Sequence, residues 1–155
     1  MAFADTIRSS KTTASDIATL LENLLCVRGV ATGTTLINTT SSTYVDYTSG
    51  TTTLAVPSNC YVKVEANIAF SVSATQRRIN FILLEDGVQI GQSWPCADPW
   101  SSTDGFTGMC QFAAYSSPAA GSHTYKIQWK LQDTAGSPTA YSTRFMLQVY
   151  CFRMG

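Results

Sequence analysis

Charge is scarce in this sequence. Only 13% of its 155 residues are charged, about half the usual share, and the ten basic residues are balanced by ten acidic ones. Without a basic excess there is no general electrostatic hold on a phosphate backbone, which argues against a nucleic-acid binder. Low net charge also gives little protection against self-association, as suits a protein that lives in a closed assembly. Long apolar runs are missing too. Polar residues interrupt every run well short of the roughly 20 residues that cross a bilayer, so no membrane-spanning helix is expected. The opening stretch, Met1 to Arg8, lacks a basic segment followed by an unbroken apolar one, so it does not read as a secretory signal, and assembly in a cytoplasm is the expectation.

Histidine is rarer still, with His123 the only one. A nucleophile that needs a base therefore has one candidate, and no Gly-x-Ser-x-Gly elbow accompanies it. His123 stands at the start of a strand pattern, where the expected role is a hydrogen bond to a neighbouring turn. Paired carboxylates for glycoside hydrolysis would have to come from Glu65, Glu85 and Asp86, each at a polar strand position or turn where solvation is expected. Gly87 and Gly91 lack the spacing and the following helix of a phosphate loop. No enzyme and no cofactor are expected. Five cysteines, Cys26, Cys60, Cys96, Cys110 and Cys151, include no Cys-x-x-Cys pair, so metal binding is not expected either. Buried thiols are the expected state, with a Cys96 to Cys110 bridge closing a long loop as the alternative.

What is present falls into two parts, residues 1–30 and 31–155. Met1 to about Thr12 is polar and mixed, an arm carrying Phe3, Ile7 and Arg8. From Thr13 to about Val27, the residues Ile17, Leu20, Leu21, Leu24 and Leu25 recur at three- and four-residue spacing, which predicts one short α-helix with a leucine face. Thr13 with Asp16 resembles a capping box, and Gly29 is placed to end the helix. A helix this short is marginal alone, so its leucine face needs a surface from its own barrel or from a neighbouring subunit.

Beyond Gly29 the sequence is rich in β-branched, aromatic and small polar residues, with turn clusters at intervals. Val62, Val64, Ala66, Ile68, Phe70 and Val72 alternate with polar or small residues, as do Tyr125, Ile127, Trp129 and Leu131. Asp86-Gly87 predicts a tight hairpin between strands at 79–85 and 88–93. Further strands are expected at 34–38, 44–48, 51–56 and 109–115, the middle two split by a Ser49-Gly50 turn. The last strand, Phe145 to Phe152, is apolar on both faces, so its second face needs a cover. Phe145, Leu147, Tyr150 and Phe152 are therefore candidate subunit-interface residues. The connection from Trp94 to Gly108 is too long for a hairpin loop and carries Trp94, Trp100 and Phe106, candidates for receptor or glycan contact or for sealing an interface. Arg77-Arg78 is the densest basic spot and is expected to be solvated. The fold class that follows is an all-β sandwich of about eight to nine antiparallel strands behind an arm and a helix.

Four segments together, Tyr44 to Tyr47, Cys60 to Val72, Leu84 to Gly91 and above all Ala120 to Lys130, resemble tailed-bacteriophage virion proteins with a jelly-roll domain like that of tumour necrosis factor. The resemblance spans roughly Thr34 to Phe152. It implies a jelly roll, a homotrimer, and a place on the exterior of a virion assembled in a bacterial host cytoplasm. Capsid decoration, with residues Met1 to about Val27 gripping the major capsid protein or another virion protein through the arm and helix residues Phe3, Ile7, Arg8, Ile17, Leu20, Leu21, Leu24 and Leu25, is the first expectation. A receptor- or glycan-binding head or tail fibre module is the second.

Overall fold

The structure, a computed structural model, describes residues 27–74, 77–98 and 108–153. Among these it contains nine strands: β1 (Val27–Gly33), β2 (Ile37–Thr39), β3 (Val45–Val56), β4 (Cys60–Val72), β5 (Arg77–Glu85), β6 (Val88–Asp98), β7 (Gly108–Ser116), β8 (Gly121–Leu131) and β9 (Ala140–Arg153). They form two antiparallel sheets, ordered β1-β9-β4-β7 with β2 also on β9, and β3-β8-β5-β6. Several connections, β3 to β4, β4 to β5, β6 to β7, β7 to β8 and β8 to β9, cross from one sheet to the other. This is the connectivity compatible with a jelly roll.

The alternation in sequence explains the layers. On β4, Val62, Val64, Ala66, Ile68 and Phe70 point inward and are buried, while Lys63, Glu65 and Asn67 point out. From the facing sheet, β5 contributes Ile79, Phe81 and Leu83 and β8 contributes Tyr125, Ile127, Trp129 and Leu131. Aromatic rings fill the middle: Tyr47 lies 5.0 Å from both Trp129 and Phe145, and Phe81 stacks on Phe112 at 5.6 Å. A buried hydroxyl in such a core needs a partner. Tyr47 donates to Ser142 Oγ, and Ser142 donates in turn to the Ala69 carbonyl at 2.6 Å, where a bulge shifts the β4–β9 register. Burial drives the Tyr47 phenol up to about 12.

Several expectations are corrected. The predicted helix over Thr13–Val27 lies outside the described residues up to Cys26, but Val27 opens β1. Gly29, read as a helix cap, is mid-strand and opposite Val149, because the free edge of β9 offers the chain a hydrogen-bonding ladder from Val27 onward. The strand expected at 34–38 is instead a short connection over residues 34–36 followed by β2. Ser49-Gly50 does not end a strand: with Ser49 at φ 63° it forms an irregularity within the continuous β3, where register shifts between Asp46 and Thr51. β6 runs on to Asp98, so the Trp94 end of the expected loop is strand.

The cysteines also divide. Cys96 on β6 and Cys110 on β7 form a disulfide with Cα atoms 6.4 Å apart, the alternative the sequence left open. It joins the edge strand of one sheet to the edge strand of the other. Cys60 and Cys151 are buried thiols in the sandwich.

Candidate interaction face

The two sheets turn very different faces outward. On the β1-β9-β4-β7 sheet, Arg28 lies opposite Tyr150, Tyr150 opposite Lys63, and Lys63 opposite Tyr115. The alternating pleat thus sets cations and tyrosines in turn across all four strands. The Arg28 guanidinium sits 5.8 Å from the Tyr150 ring centre, and Tyr61 stacks on Phe152 at 5.0 Å. Lys63 Nζ donates to Glu65 at 2.7 Å and Gln111 Nε2 donates to the other Glu65 oxygen at 2.7 Å. Those two donors hold the Glu65 carboxyl below its usual range.

Around this polar centre the face is apolar and open. Of the five large hydrophobic residues exposed among the described residues, three lie here: Val30 at 43%, Tyr115 at 65% and Met109 at 82% exposure. A shallow depression of about 310 Å³ lies beside Met109, with Met146 and Ala69 on its apolar side and Asn67 and Arg144 supplying polar groups. Methionines on both flanks make it adaptable to an apolar side chain.

On the outer face of the β3-β8-β5-β6 sheet several polar groups pair with one another, while Asn80 Oδ1 on β5 is buried without a partner. Asp46 accepts from Lys126 at 2.7 Å and from Gln128 at 2.8 Å, and these bonds lower its carboxyl pKa. Lys130 Nζ lies 4.6 Å from the Tyr44 ring centre. The apolar side chains that β5 turns outward, Ile82 and Leu84, are only 4% and 6% exposed.

One end of the sandwich carries the titratable cluster. His123 Nδ1 lies 2.7 Å from Asp86 Oδ2 in the β5–β6 turn, and Nε2 lies 2.9 Å from the Ala119 carbonyl. Carboxylate and carbonyl are both acceptors, so both bonds form together only when both ring nitrogens carry protons. Burial pulls the His123 pKa down, but the bonds to Asp86 and Ala119 outweigh it, and the net shift is upward. Asp86 is lowered, first by the Thr124 amide and then by His123. Glu85 accepts from Tyr125 at 2.8 Å and from Ser116 at 3.3 Å, so it is tied into the structure rather than merely solvated. Burial and that bond to Glu85 hold the Tyr125 proton firmly. His123 thus bonds to a neighbouring turn, as its place in the sequence implied.

The remaining expected site residues scatter. Phe145 and Leu147, expected at a subunit interface, point into the core of the sandwich at 8% and 0% exposure, because the pleat of β9 turns them inward. Tyr150 and Phe152, on the opposite pleat, do lie on the outer face. Trp94 is not in a loop; it stacks on Phe112 at 4.8 Å against the core. Trp100 and Phe106 lie outside the described residues, as do Phe3, Ile7, Arg8, Ile17, Leu20, Leu21, Leu24 and Leu25. Arg77 is more than solvated, since Nη2 donates to the Ala135 carbonyl at 2.8 Å and so ties β5 to the β8–β9 connection. Sequence reasoning missed Val30, Met109 and Tyr115. The alternation of Met109, Gln111, Ala113 and Tyr115 on β7 was the available signal. Among the described residues no cluster of three or more His, Cys, Asp or Glu side chains is placed to hold a metal ion, and no helix is long and apolar enough to cross a membrane.

No family model and no curated protein matches this chain. Solved structures do resemble it. The VP2 subviral particle of infectious bursal disease virus is similar at a TM-score of 0.50 and 11% identity, over 79% of this chain and 32% of that one. The insecticidal delta-endotoxin Cry8Ea1 of Bacillus thuringiensis gives 0.47 and 16%, over 72% of this chain and 19% of the toxin. The C-terminal domain of EclA, described as a sugar-binding protein, gives 0.42 and 10%, over 73% and 77%. This chain thus spans about a third of the first and a fifth of the second. At 11% identity the likeness to the VP2 particle is one of fold.

Proposed function

We propose that this chain is a structural protein of a bacteriophage virion: a homotrimeric jelly-roll decoration protein on the outside of the capsid, non-catalytic and without a cofactor. It holds the major capsid protein through the arm around Phe3, Ile7 and Arg8, after assembly in the bacterial cytoplasm. The observation that carries this reading is the asymmetry of the two outer faces. One pairs Asp46 with Lys126 and keeps its outward apolar side chains covered, whereas the other leaves Val30, Met109 and Tyr115 bare around a polar centre, the composition of a surface made to be covered. A trimer makes each arm contact after the first nearly intramolecular, which gives firm attachment from weak single contacts. The Cys96–Cys110 bridge supports a final location in an oxidising exterior. The fold likeness to a protein of a viral particle agrees with this reading. The test is co-sedimentation with capsids of the virus that carries the gene, with light scattering of the free protein. Full-length chain is expected to be trimeric and to sediment with capsids, and a chain lacking residues 1–12 to remain trimeric and unbound. Normal capsid binding by that shortened chain refutes the arm's role.

A second reading is favoured by one observation. The disulfide ties β6 to β7 at the two ends of the segment that holds Trp100 and Phe106, a staple suited to presenting a receptor- or glycan-binding loop on a fibre. Trp100→Ala then abolishes glycan or cell binding, while a change confined to capsid binding rejects this reading.

A further inference from the structure

We propose that the bare outer face of the β1-β9-β4-β7 sheet is covered by the leucine-striped segment of a neighbouring copy, so that Ile17 to Leu25 of each subunit seats on the next. This rests on the trimeric reading above and names the contact that closes the trimer.

Charge selects the occupant. The face carries Arg28, Lys63 and Arg144 against the single carboxylate of Glu65. A second copy of the same face would bring like charges together as well as tyrosines and methionines. The segment from Thr13 to Cys26 contains Asp16 and Glu22 and no lysine or arginine, so it is opposite in sign to the face. Its apolar residues also recur along one stripe, which matches a face whose bare residues run from Val30 on one edge strand to Tyr115 and Met109 on the other. The dimensions agree: a helix of that length spans about 20 Å, and four strands lie across about 15 Å.

The chain's connection selects exchange over self-coverage. Only Cys26 separates Leu25 from Val27, where β1 begins on the edge of this very sheet. If the leucine stripe is helical to Leu25, only Cys26 is left for it to double back over its own sheet, where such connections commonly take two to six residues. Short connections of this kind favour exchange between copies. Segment onto face is a head-to-tail contact, which closes into a ring when its rotation allows.

Two measurements on the full-length chain decide this. In the first, Tyr115 is replaced by the photo-cross-linker benzoylphenylalanine, and the irradiated protein is run on a denaturing gel and digested with trypsin. A cross-linked dimer band whose linked peptide is Thr12–Arg28 is the expected result. The same peptide linked within a monomer band means the segment covers its own sheet and overturns exchange; linkage to any other peptide, or none, overturns the occupant. In the second, Leu20→Asp with Leu24→Asp is expected to reduce the mass by light scattering from three subunits to one, while the thermal unfolding transition of the sandwich persists. A variant that stays trimeric overturns this proposal and leaves the trimeric decoration reading standing. A wild-type protein that is itself monomeric overturns both.

Discussion

The two outer faces of this sandwich begin from the same pattern and end in different states. Both β4 and β8 alternate apolar with polar residues, and both therefore put Lys, Glu or Gln outward. On the β3-β8-β5-β6 sheet those polar groups meet one another across strands, Asp46 with Lys126 and Gln128, and little apolar surface is left. On the β1-β9-β4-β7 sheet the Lys63–Glu65–Gln111 cluster occupies only the centre, and the flanking strands β1 and β7 contribute Val30, Met109 and Tyr115. A polar strand in the middle of a sheet does not make a polar face. The neighbours that the topology brings beside it decide that.

The largest expected effect separates the inside of β9 from its outside. Leu147 is fully buried, so Leu147→Ala should cost about 2–5 kcal/mol, read as a lower urea midpoint. Met146→Ala, one residue along on the outer pleat, should leave the midpoint nearly unchanged. Equal losses would mean that Met146 is as deeply covered in solution as Leu147.

Next comes the seam where the two sheets meet. Removing the bridge with Cys96→Ser and Cys110→Ser should destabilise the fold by about 3 kcal/mol on the chain-entropy scale for a loop of this size, seen as a lower Tm that reductant no longer affects.

Smaller effects compare the faces directly. Asp46→Asn breaks an exposed pair and should cost about 0–1 kcal/mol without altering the mass in solution. Met109→Glu should be equally mild for folding but should weaken subunit association. Association weakened by Asp46→Asn instead would transfer the interaction to the other sheet.

The last effect concerns pH at the end of the sandwich. The folded His123 is raised above its ordinary value near 6.5, so its contribution is complete below about pH 6.5 and is lost as pH rises through the folded pKa. Tm should therefore decline over that rise, and His123→Ala should flatten the decline. An unchanged profile in the variant would mean that the bonds to Asp86 and Ala119 contribute nothing.

Much of the fold was legible because strand alternation is a local property. Val62 to Phe70 and Tyr125 to Leu131 announce both a strand and its buried side, and Asp86-Gly87 announces its turn. The readings that failed were those in which a partner overrides local chemistry. Gly29 looked like a helix cap until the edge of β9 claimed it, and Ser49-Gly50 looked like a turn until β8 paired on both sides of it. The two faces of β9 are both apolar in sequence, and nothing local says that Phe145 and Leu147 are the inward ones. The disulfide was legible only as one option, since cysteines 14 positions apart are joined or not according to where two edge strands meet.

The sequence by itself determined that the region beyond Gly29 folds as an all-β sandwich with little charge, because side-chain periodicity and composition act over a few neighbouring residues. Tertiary structure alone decided which face of β9 is core, which cysteines meet and which sheet is left with a bare apolar surface. Those outcomes depend on strand order and register, which join residues as far apart as Arg28, Lys63, Tyr115 and Tyr150 in one row across four strands.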